Sequence, residues 1–156
     1  KGEDTDMGLT LCEAFARSGP TLAVGTGQTQ YEPVEDGDAV YYHQGVQGGW
    51  HIFGSLWAEA VIPGNREDFA DPENPIVSFE ILHEGRSIGG YTELPRPLTP
   101  MGGDNYALVG DTLVLDVQSD KELPGINVDL TVSLVDSCGS VLEDERTVML
   151  SPGENE

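Results

Sequence analysis

The sequence predicts an all-β protein: a single immunoglobulin-like antiparallel β-sandwich of about eight strands, with a short N-terminal helix or turn. Two observations support this fold class. The 20 glycines and 10 prolines are spread along the 156 residues and separate short apolar runs, a spacing typical of many strands joined by tight turns. Within residues 126–135, apolar and polar side chains alternate from Ile126 to Leu134, as expected for a strand with one buried face.

The predicted elements follow one another along the chain at short intervals. Residues 9–17 place several apolar side chains at helical spacing before Gly19 and Pro20 end the pattern, which predicts a short helix or a turn. We expect an N-terminal arm at residues 1–19, the β-sandwich at residues 20–151 and a short tail at residues 152–156. Strands are expected at residues 21–25, 38–43, 50–61, 76–83, 87–92, 106–109, 112–118, 126–135 and 141–150.

Three connections are expected to be irregular. The longest is the polar loop at residues 63–75. A proline-rich segment at residues 94–104 is expected to cross an edge in an extended conformation. A Gly110-Asp111 dipeptide predicts a turn between two strands.

The run at residues 50–61 is the candidate core strand because it is apolar on both faces. Its residues alternate between two sides: Trp50, Ile52, Leu56 and Ala58, against Phe53 and Trp57. A strand with two apolar faces lies centrally in its sheet or is covered on its outer side. We expect the face of Phe53 and Trp57 to be covered by the crossing at residues 94–101 or by another subunit, which makes these two residues a candidate interface.

Composition and charge limit the functions that remain open. The chain has 28 acidic and 7 basic residues, which gives a formal net charge of −21. Such a surface repels phosphate backbones and anionic lipids, so we expect no binding to nucleic acid or to a membrane surface. No apolar run reaches the length of about 18 residues that a transmembrane segment needs. Solubility of a secreted surface, divalent-cation binding and docking to a basic protein are the three interpretations of the charge.

The two cysteines, Cys12 and Cys138, belong to no C-x-x-C motif and have no histidine near them in sequence. In an acidic, turn-rich β-protein they predict one disulfide, whereas two buried free thiols would suit a cytosolic protein. The bond would tie the N-terminal segment to the last hairpin. It would place the protein in the periplasm, at the cell surface or outside the cell. The polar start at residues 1–8 is interpreted as a processed or truncated end.

His43 and His51 are the candidate transition-metal ligands, because they flank one glycine-rich connection and imidazole suits such metals. If residue 43 pairs with residue 51, the rings face each other, whereas pairing with residue 50 puts them on opposite faces. The alternative is that His51 hydrogen-bonds the loop backbone behind residues 48–49. The third histidine, His83, lacks the partner histidine of a zincin motif.

Two clusters of carboxylates are candidate calcium sites. They consist of Glu35, Asp36 and Asp38, and of Asp68, Asp71 and Glu73 in the long loop, with Asn74 beside them. Ca²⁺ prefers carboxylate and carbonyl oxygens, but neither cluster has the spacing of an EF-hand. The alternative is that Asp38 caps its turn and that the loop carboxylates remain solvated.

Two segments of the chain resemble a group of uncharacterised secreted bacterial proteins and lipoproteins. The first, Leu22 to Trp57, contains GTG, then YEPV-x-DGD, then GVQGGWHI. The second, Asp129 to Leu150, contains VSLVDSCGSVLEDERTVML and is similar to the final hairpin of their immunoglobulin-like sandwich. The resemblance implies this fold and export from the cytoplasm. It implies no activity.

These observations predict a binding, adhesion or structural β-sandwich subunit outside the cytoplasm, without catalytic activity and with no certain cofactor. The sequence contains no G-x-S-x-G, H-E-x-x-H or P-loop motif and no cysteine–histidine pairing. The alternative is a secreted surface protein that binds Ca²⁺, Cu²⁺ or Zn²⁺, and a secreted hydrolase comes last. A protein partner and self-association both remain open.

Overall fold

Strands make up most of the chain in the computed structural model, which describes residues 10–46, 48–117 and 120–153. This confirms that the protein is all-β. No helix in these ranges is long and apolar enough to cross a membrane. The elements are α1 (Leu11–Ser18), β1 (Thr21–Thr26), β2 (Glu32–Pro33), β3 (Ala39–Gln44), β4 (Trp50–Glu59), β5 (Ile76–His83), β6 (Arg86–Pro95), β7 (Thr99–Gly102), β8 (Asn105–Leu115), a short 3-10 helix (Asp120–Glu122), β9 (Asn127–Val135) and β10 (Val141–Pro152).

Seven of the strands close into a barrel. Their order is β4–β3–β10–β9–β5–β6–β8, and β8 pairs with β4 to complete the ring. β1 and β2 extend the sheet from β4, and β7 lies beside β8. The pairs formed by the described strands are antiparallel except β3 with β10, which run parallel. The expectation of a purely antiparallel fold is therefore wrong at this pair, where no hairpin joins the two strands and fixes their direction.

Two segments predicted to be irregular belong to strands. The described chain has ten strands instead of about eight, because β2 and β7 were not predicted, whereas the two runs predicted at residues 106–109 and 112–118 form the single strand β8. The predicted turn at Gly110 and Asp111 is instead a bulge within β8. Two residues separate Leu108 from Asp111 in β8, whereas one residue separates their partners Leu56 and Gly54 in β4. Gly110 has a φ of +76°, and its N–H donates to Oγ of Ser55 at 3.0 Å. The predicted proline-rich crossing supplies the end of β6 and all of β7.

Alternate residues of the strands fill the barrel. In β9 the buried residues are Val128, Leu130, Val132 and Leu134, so the alternation predicted for this strand is confirmed. In β4, Ile52 and Leu56 are fully buried, whereas Phe53 and Trp57 on the opposite face are half-buried. Each fully buried aliphatic side chain stabilises the fold by about 1.5–3 kcal/mol. The barrel interior is therefore the main source of stability, and the outer side of β4 is left for other contacts.

The predicted N-terminal helix is present as α1, and its boundaries follow from capping. Thr10 and Glu13 form a capping box at its start. Gly19 ends it, with its N–H donating to the carbonyl of Phe15 at 3.0 Å. Phe15 is buried, whereas Leu11 is 56% exposed. The apolar stripe predicted for this helix is thus narrower than expected, and one aromatic side chain anchors it.

The predicted disulfide joins α1 to the turn between β9 and β10. Cys12 and Cys138 are bonded, with their Cα atoms 5.5 Å apart. The buried Asp136 fixes this turn, since its carboxylate accepts the backbone N–H groups of Ile62, Cys138 and Ser140, each at 3.0 Å. The disulfide therefore ties the helix to a turn that is itself held to the barrel wall.

Candidate functional site

His43 and His51 lie directly opposite each other on β3 and β4. Of the two registers that the sequence leaves open, this is the one that brings the imidazoles together. Their ring centroids are 5.9 Å apart, and the ring planes are inclined by 35°. Both side chains are half-buried on the outside of the barrel. The hairpin thus presents two imidazoles as neighbours on one surface.

Phe53 packs against both imidazoles. It follows His51 by two residues and therefore projects from the same face of β4. Its ring centroid lies 5.5 Å from that of His43 and 4.9 Å from that of His51, the latter contact being edge-to-face. Val114, which pairs with His51 across β8, is 59% exposed, and Tyr41 on β3 is 56% exposed. A cluster of three rings is thus bordered by exposed apolar side chains.

Trp57 continues this surface along β4. In register it lies between Ala23 of β1 and Ala107 of β8, whose small side chains leave room for the indole. The ring of Tyr31 contacts it at a centroid distance of 5.7 Å, and the Tyr31 hydroxyl donates to the carbonyl of Val24 at 3.2 Å. We call the outer surface formed by Tyr31, Tyr41, His43, His51, Phe53 and Trp57 the ring face.

One contact on the ring face comes from a segment that the sequence did not single out. Tyr31, in the connection between β1 and β2, supplies the contact with Trp57. The crossing predicted at residues 94–101 sends Leu98 into the interior core, where it is 1% exposed. Gly25 permits the tyrosine cover, since a Cβ atom there would lie 2.4 Å from Cε1 of Tyr31. Cover by another subunit stays a prediction.

Two glycines lie against the edges of the imidazoles. A Cβ atom added at Gly153 would lie 2.5 Å from Cε1 and 2.7 Å from Nδ1 of His43. A Cβ atom at Gly45 would lie 3.8 Å from Nδ1 and 3.9 Å from Cε1 of His51. Gly153 is held in place by its N–H, which donates to the carbonyl of Tyr42 at 2.8 Å. A side chain at residue 153 would therefore collide with the His43 ring, whereas one at residue 45 would lie in ordinary van der Waals contact with the His51 ring.

The surroundings of His51 keep its ring neutral near neutral pH. Burial lowers the pKa of His51 below its ordinary value of 6.5, and the neighbouring His43 lowers it further. The predicted hydrogen bond from His51 to the loop backbone is not found among the described residues of the loop, where Nε2 of Gln44 donates to the carbonyl of Gly48 at 3.3 Å instead. His83 lies at the end of β5, with its Nδ1 3.1 Å from the carbonyl of Asn127.

In the first candidate calcium cluster, the two aspartate carboxylates hold a turn in place by accepting backbone hydrogen bonds. The carboxylate of Asp38 accepts the N–H of Glu35 at 2.8 Å, which confirms its predicted capping role. The carboxylate of Asp36 accepts the N–H of Thr147 at 2.9 Å and so attaches the turn to β10. These hydrogen bonds give both aspartates a structural role in the connection before β3.

The second candidate cluster shapes the long loop. The carboxylates of Asp68 and Asp71 accept the N–H groups of Ala70 at 3.0 Å and Glu73 at 2.8 Å, two residues ahead in each case. The amide oxygen of the buried Asn74 accepts the N–H of Asn65 at 2.7 Å. In the described part of the chain, no three histidine, cysteine, aspartate or glutamate side chains converge as a metal site would require.

A polar cluster that the sequence does not reveal closes the barrel between β6 and β8. These strands share one paired position, Gly89 with Leu115. Beyond it, the Tyr91 hydroxyl donates to the carboxylate of Asp111, which also accepts from Nε of Arg96 at 3.1 Å. The Arg96 guanidinium lies 5.0 Å from the centre of the Tyr91 ring. Burial and the hydrogen bond to Asp111 raise the pKa of Tyr91. These three residues form no sequence motif, so their spacing in the sequence does not indicate the cluster.

Comparison with known proteins gives two solved structures of low similarity. CopC from Methylosinus trichosporium OB3b is 11% identical, with a TM-score of 0.33 over 78% of this chain and 90% of CopC. The CooA pilin subunit from enterotoxigenic Escherichia coli is 12% identical, with a TM-score of 0.29 over 85% of this chain and 99% of the subunit. No protein-family model and no curated protein matches the chain. At these values neither structure bears on what the chain does.

Proposed function

We propose that the chain is an extracytoplasmic, non-catalytic binding or structural domain, a variant of the immunoglobulin-like sandwich, whose ring face contacts a protein partner. The observation that carries the proposal is the concentration of aromatic and imidazole side chains on the outside of β3 and β4. Outward positions of a solvated antiparallel sheet are usually polar. Aromatic side chains are instead enriched where protein surfaces meet.

The disulfide supports the location. Bonds such as Cys12–Cys138 form and persist in oxidising compartments and are rare in the cytosol. The resemblance of two segments to secreted bacterial proteins and lipoproteins points the same way. Export also suits a chain with a net charge of −21, since such a charge keeps a protein soluble.

The charge also defines the partner. Two copies of a chain with a net charge of −21 repel each other, which disfavours self-association at low salt. A partner with a basic surface is attracted, and complementary charge raises the rate of encounter. Apolar contact is then available from Tyr41 and Val114, which are 56% and 59% exposed beside the three rings. The proposed partner is therefore a protein that presents basic side chains around an apolar contact.

Site-specific photo-crosslinking in the producing cells tests this proposal. A photoreactive phenylalanine replaces Tyr41 on the ring face or, as the matched control, Ser133 on the opposite outer face. We expect a discrete product from position 41 that contains a basic protein, a lower yield in high salt, and no such product from position 133. Equal products at both positions, no product at either, or a product with twice the mass of the chain would each overturn the proposal.

A further inference from the structure

We propose that a surface hollow beneath the long loop, at the gap between β6 and β8, binds a small aromatic monocarboxylate. The hollow has a volume of about 310 Å³, and two guanidinium groups border it beside an apolar wall. The described residues that line it are Arg66, Phe69, Arg96, Pro97, Leu108 and Asp111. None of these residues belongs to the ring face, so the inference does not rest on the proposed partner binding.

The charge of the hollow is opposite to that of the chain as a whole. Of the 7 basic residues in the sequence, Arg66 and Arg96 both line it, and Asp111 is the one acidic residue among the described residues of the lining. Two positive charges and one negative charge give this lining a formal charge of +1, in a chain with a net charge of −21. A monoanion balances the lining, whereas the many carboxylates of the chain repel a phosphate dianion more strongly.

Arg96 is held in place with part of its guanidinium free. Its Nε donates to the carboxylate of Asp111 at 3.1 Å, and its Nη1 donates to the carbonyl of Pro95 at 3.2 Å. The guanidinium also lies 5.0 Å from the centre of the Tyr91 ring. In the described part of the chain, Nη2 of Arg96 has no hydrogen-bond partner, and the side chain is 33% exposed. Its two N–H groups are therefore available to a carboxylate, and a guanidinium fixed in this way loses little freedom on binding.

Arg66 borders the hollow from the long loop, whose two ends are attached to the segment at residues 96–98. Backbone N–H groups at positions 96 and 98 donate to the carbonyls of Pro75 and Pro63, at 2.9 and 2.8 Å. Arg66 itself is exposed, and its Nη1 donates to Oγ1 of Thr99 at 3.4 Å. Among the residues that the structure describes, it forms no ion pair. A second positive charge is thus present at the hollow without a carboxylate to neutralise it.

The apolar part of the lining selects the rest of the ligand. Phe69, Pro97 and Leu108 lie beside the two arginines, and Phe69 is 67% exposed. An aromatic ring that packs against Phe69 is removed from water and gains a ring contact. A volume of about 310 Å³ lies at the lower end of the range for small-molecule sites. The hollow therefore fits one aromatic ring with a short carboxylate chain.

A matched set of ligands tests this chemistry. Phenylacetate is titrated into the isotope-labelled chain, and the backbone amide signals are followed by NMR. We expect a Kd of about 1 mM, with shifts confined to amides near residues 66–70, 96–98 and 108–111. Phenylacetamide lacks the charge and acetate lacks the ring, so each should bind at least about tenfold more weakly. Equal binding of phenylacetamide, tighter binding of phenyl phosphate, or no shifts at these positions at about 20 mM phenylacetate would each overturn the inference.

Variants of the chain locate the site. R66Q should weaken phenylacetate binding about threefold to fivefold, as expected for an exposed ion pair. R96Q should weaken it at least about tenfold, because it also leaves the carboxylate of Asp111 without its cation. R86Q removes an exposed arginine at the start of β6, and as the matched control it should bind as the unchanged protein does.

F69A keeps the test independent of R96Q, whose fold depends on the contact with Asp111. It should weaken phenylacetate binding at least about threefold and leave acetate binding unchanged, because acetate has no ring to pack against the side chain. Unchanged phenylacetate affinity in folded R66Q or F69A would contradict the assignment. An equal loss of affinity in R86Q would do so as well, since it would show that the total charge of the chain and not the hollow governs binding.

Discussion

The ring face and the outer face of β5, β9 and β10 differ in almost every outward side chain, although both are built on one core. The second surface, which we call the acidic face, carries Ser78, Glu80, Thr131, Ser133, Glu143 and Glu145. Its inward neighbours, such as Phe79 and Val132, are as fully buried as Ile52 and Leu56 beneath the ring face. The residues beneath the two faces are therefore buried to the same extent, and only the outward side chains distinguish the ring face from the acidic face.

The difference teaches where to look for function in this barrel. On the acidic face, hydroxyl and carboxylate side chains oppose one another across the strands, as Glu80 opposes Thr131 and Ser133 opposes Glu143. Water satisfies such groups at little cost. On the ring face, by contrast, Phe53 and Trp57 place apolar side-chain area on the outside of the barrel, where both are half-buried. An outer surface of that kind marks a candidate interaction site.

The largest expected effect comes from removing the disulfide, which stabilises the domain as a whole and therefore both faces. The Cys12–Cys138 bond closes a loop with a sequence separation of 126 residues, for which the chain-entropy model gives at most about 5 kcal/mol. Because measured values are smaller, we expect C138S to lower the stability by about 3 kcal/mol and the melting temperature by about 10 °C. Thermal unfolding followed by circular dichroism, with and without reductant, measures this.

The same variant should release α1, because a helix of eight residues is not stable alone. Trypsin should then cleave after the exposed Arg17 faster in C138S than in the unchanged protein. C12S/C138S is the control and should behave as C138S does, with no further response to reductant. Two thiols detected after denaturation without reductant would show that the bond is absent in solution.

A smaller effect distinguishes the two faces directly. W57A removes the indole from its contact with Tyr31 and should lower the free energy of unfolding by about 2 kcal/mol, roughly half the cost at a fully buried site. S133A on the acidic face should change it by less than about 0.5 kcal/mol. Urea unfolding measures both variants. Equal effects would mean that the faces differ in composition alone and not in how their side chains pack.

The contrast also shows what the sequence could predict. The acidic face follows from alternation in β9, since Thr131 and Ser133 lie between apolar neighbours that are buried. The ring face was predicted only in part. Alternation placed Phe53 and Trp57 on one side of β4, and the pairing of His43 with His51 was one of two registers that the sequence allowed.

The remaining features depend on contacts between segments far apart in the chain, which periodicity does not encode. Tyr31 reaches Trp57 from the connection after β1. Asp111 meets Tyr91 and Arg96 across the gap between β6 and β8. The bulge at Gly110 had the sequence of a turn, and the pairing of β8 with β4 keeps the strand continuous through it. In each case tertiary packing outweighed the local pattern.

The smallest expected effect concerns the protonation of the ring face. Burial, followed by His43, lowers the pKa of His51 from 6.5, so the folded protein takes up this proton less readily than the unfolded chain. The associated stability is present above pH 6.5 and is lost as the pH falls from there through the lowered folded pKa. NMR titration of the imidazole signals should give a pKa for His51 below 6.5. H43Q should raise that pKa but not restore it fully, because burial is the larger cause and remains. A pKa at or above 6.5 in the folded protein would mean that solvent reaches the ring freely, and the packing of Phe53 against the two imidazoles would then not persist in solution.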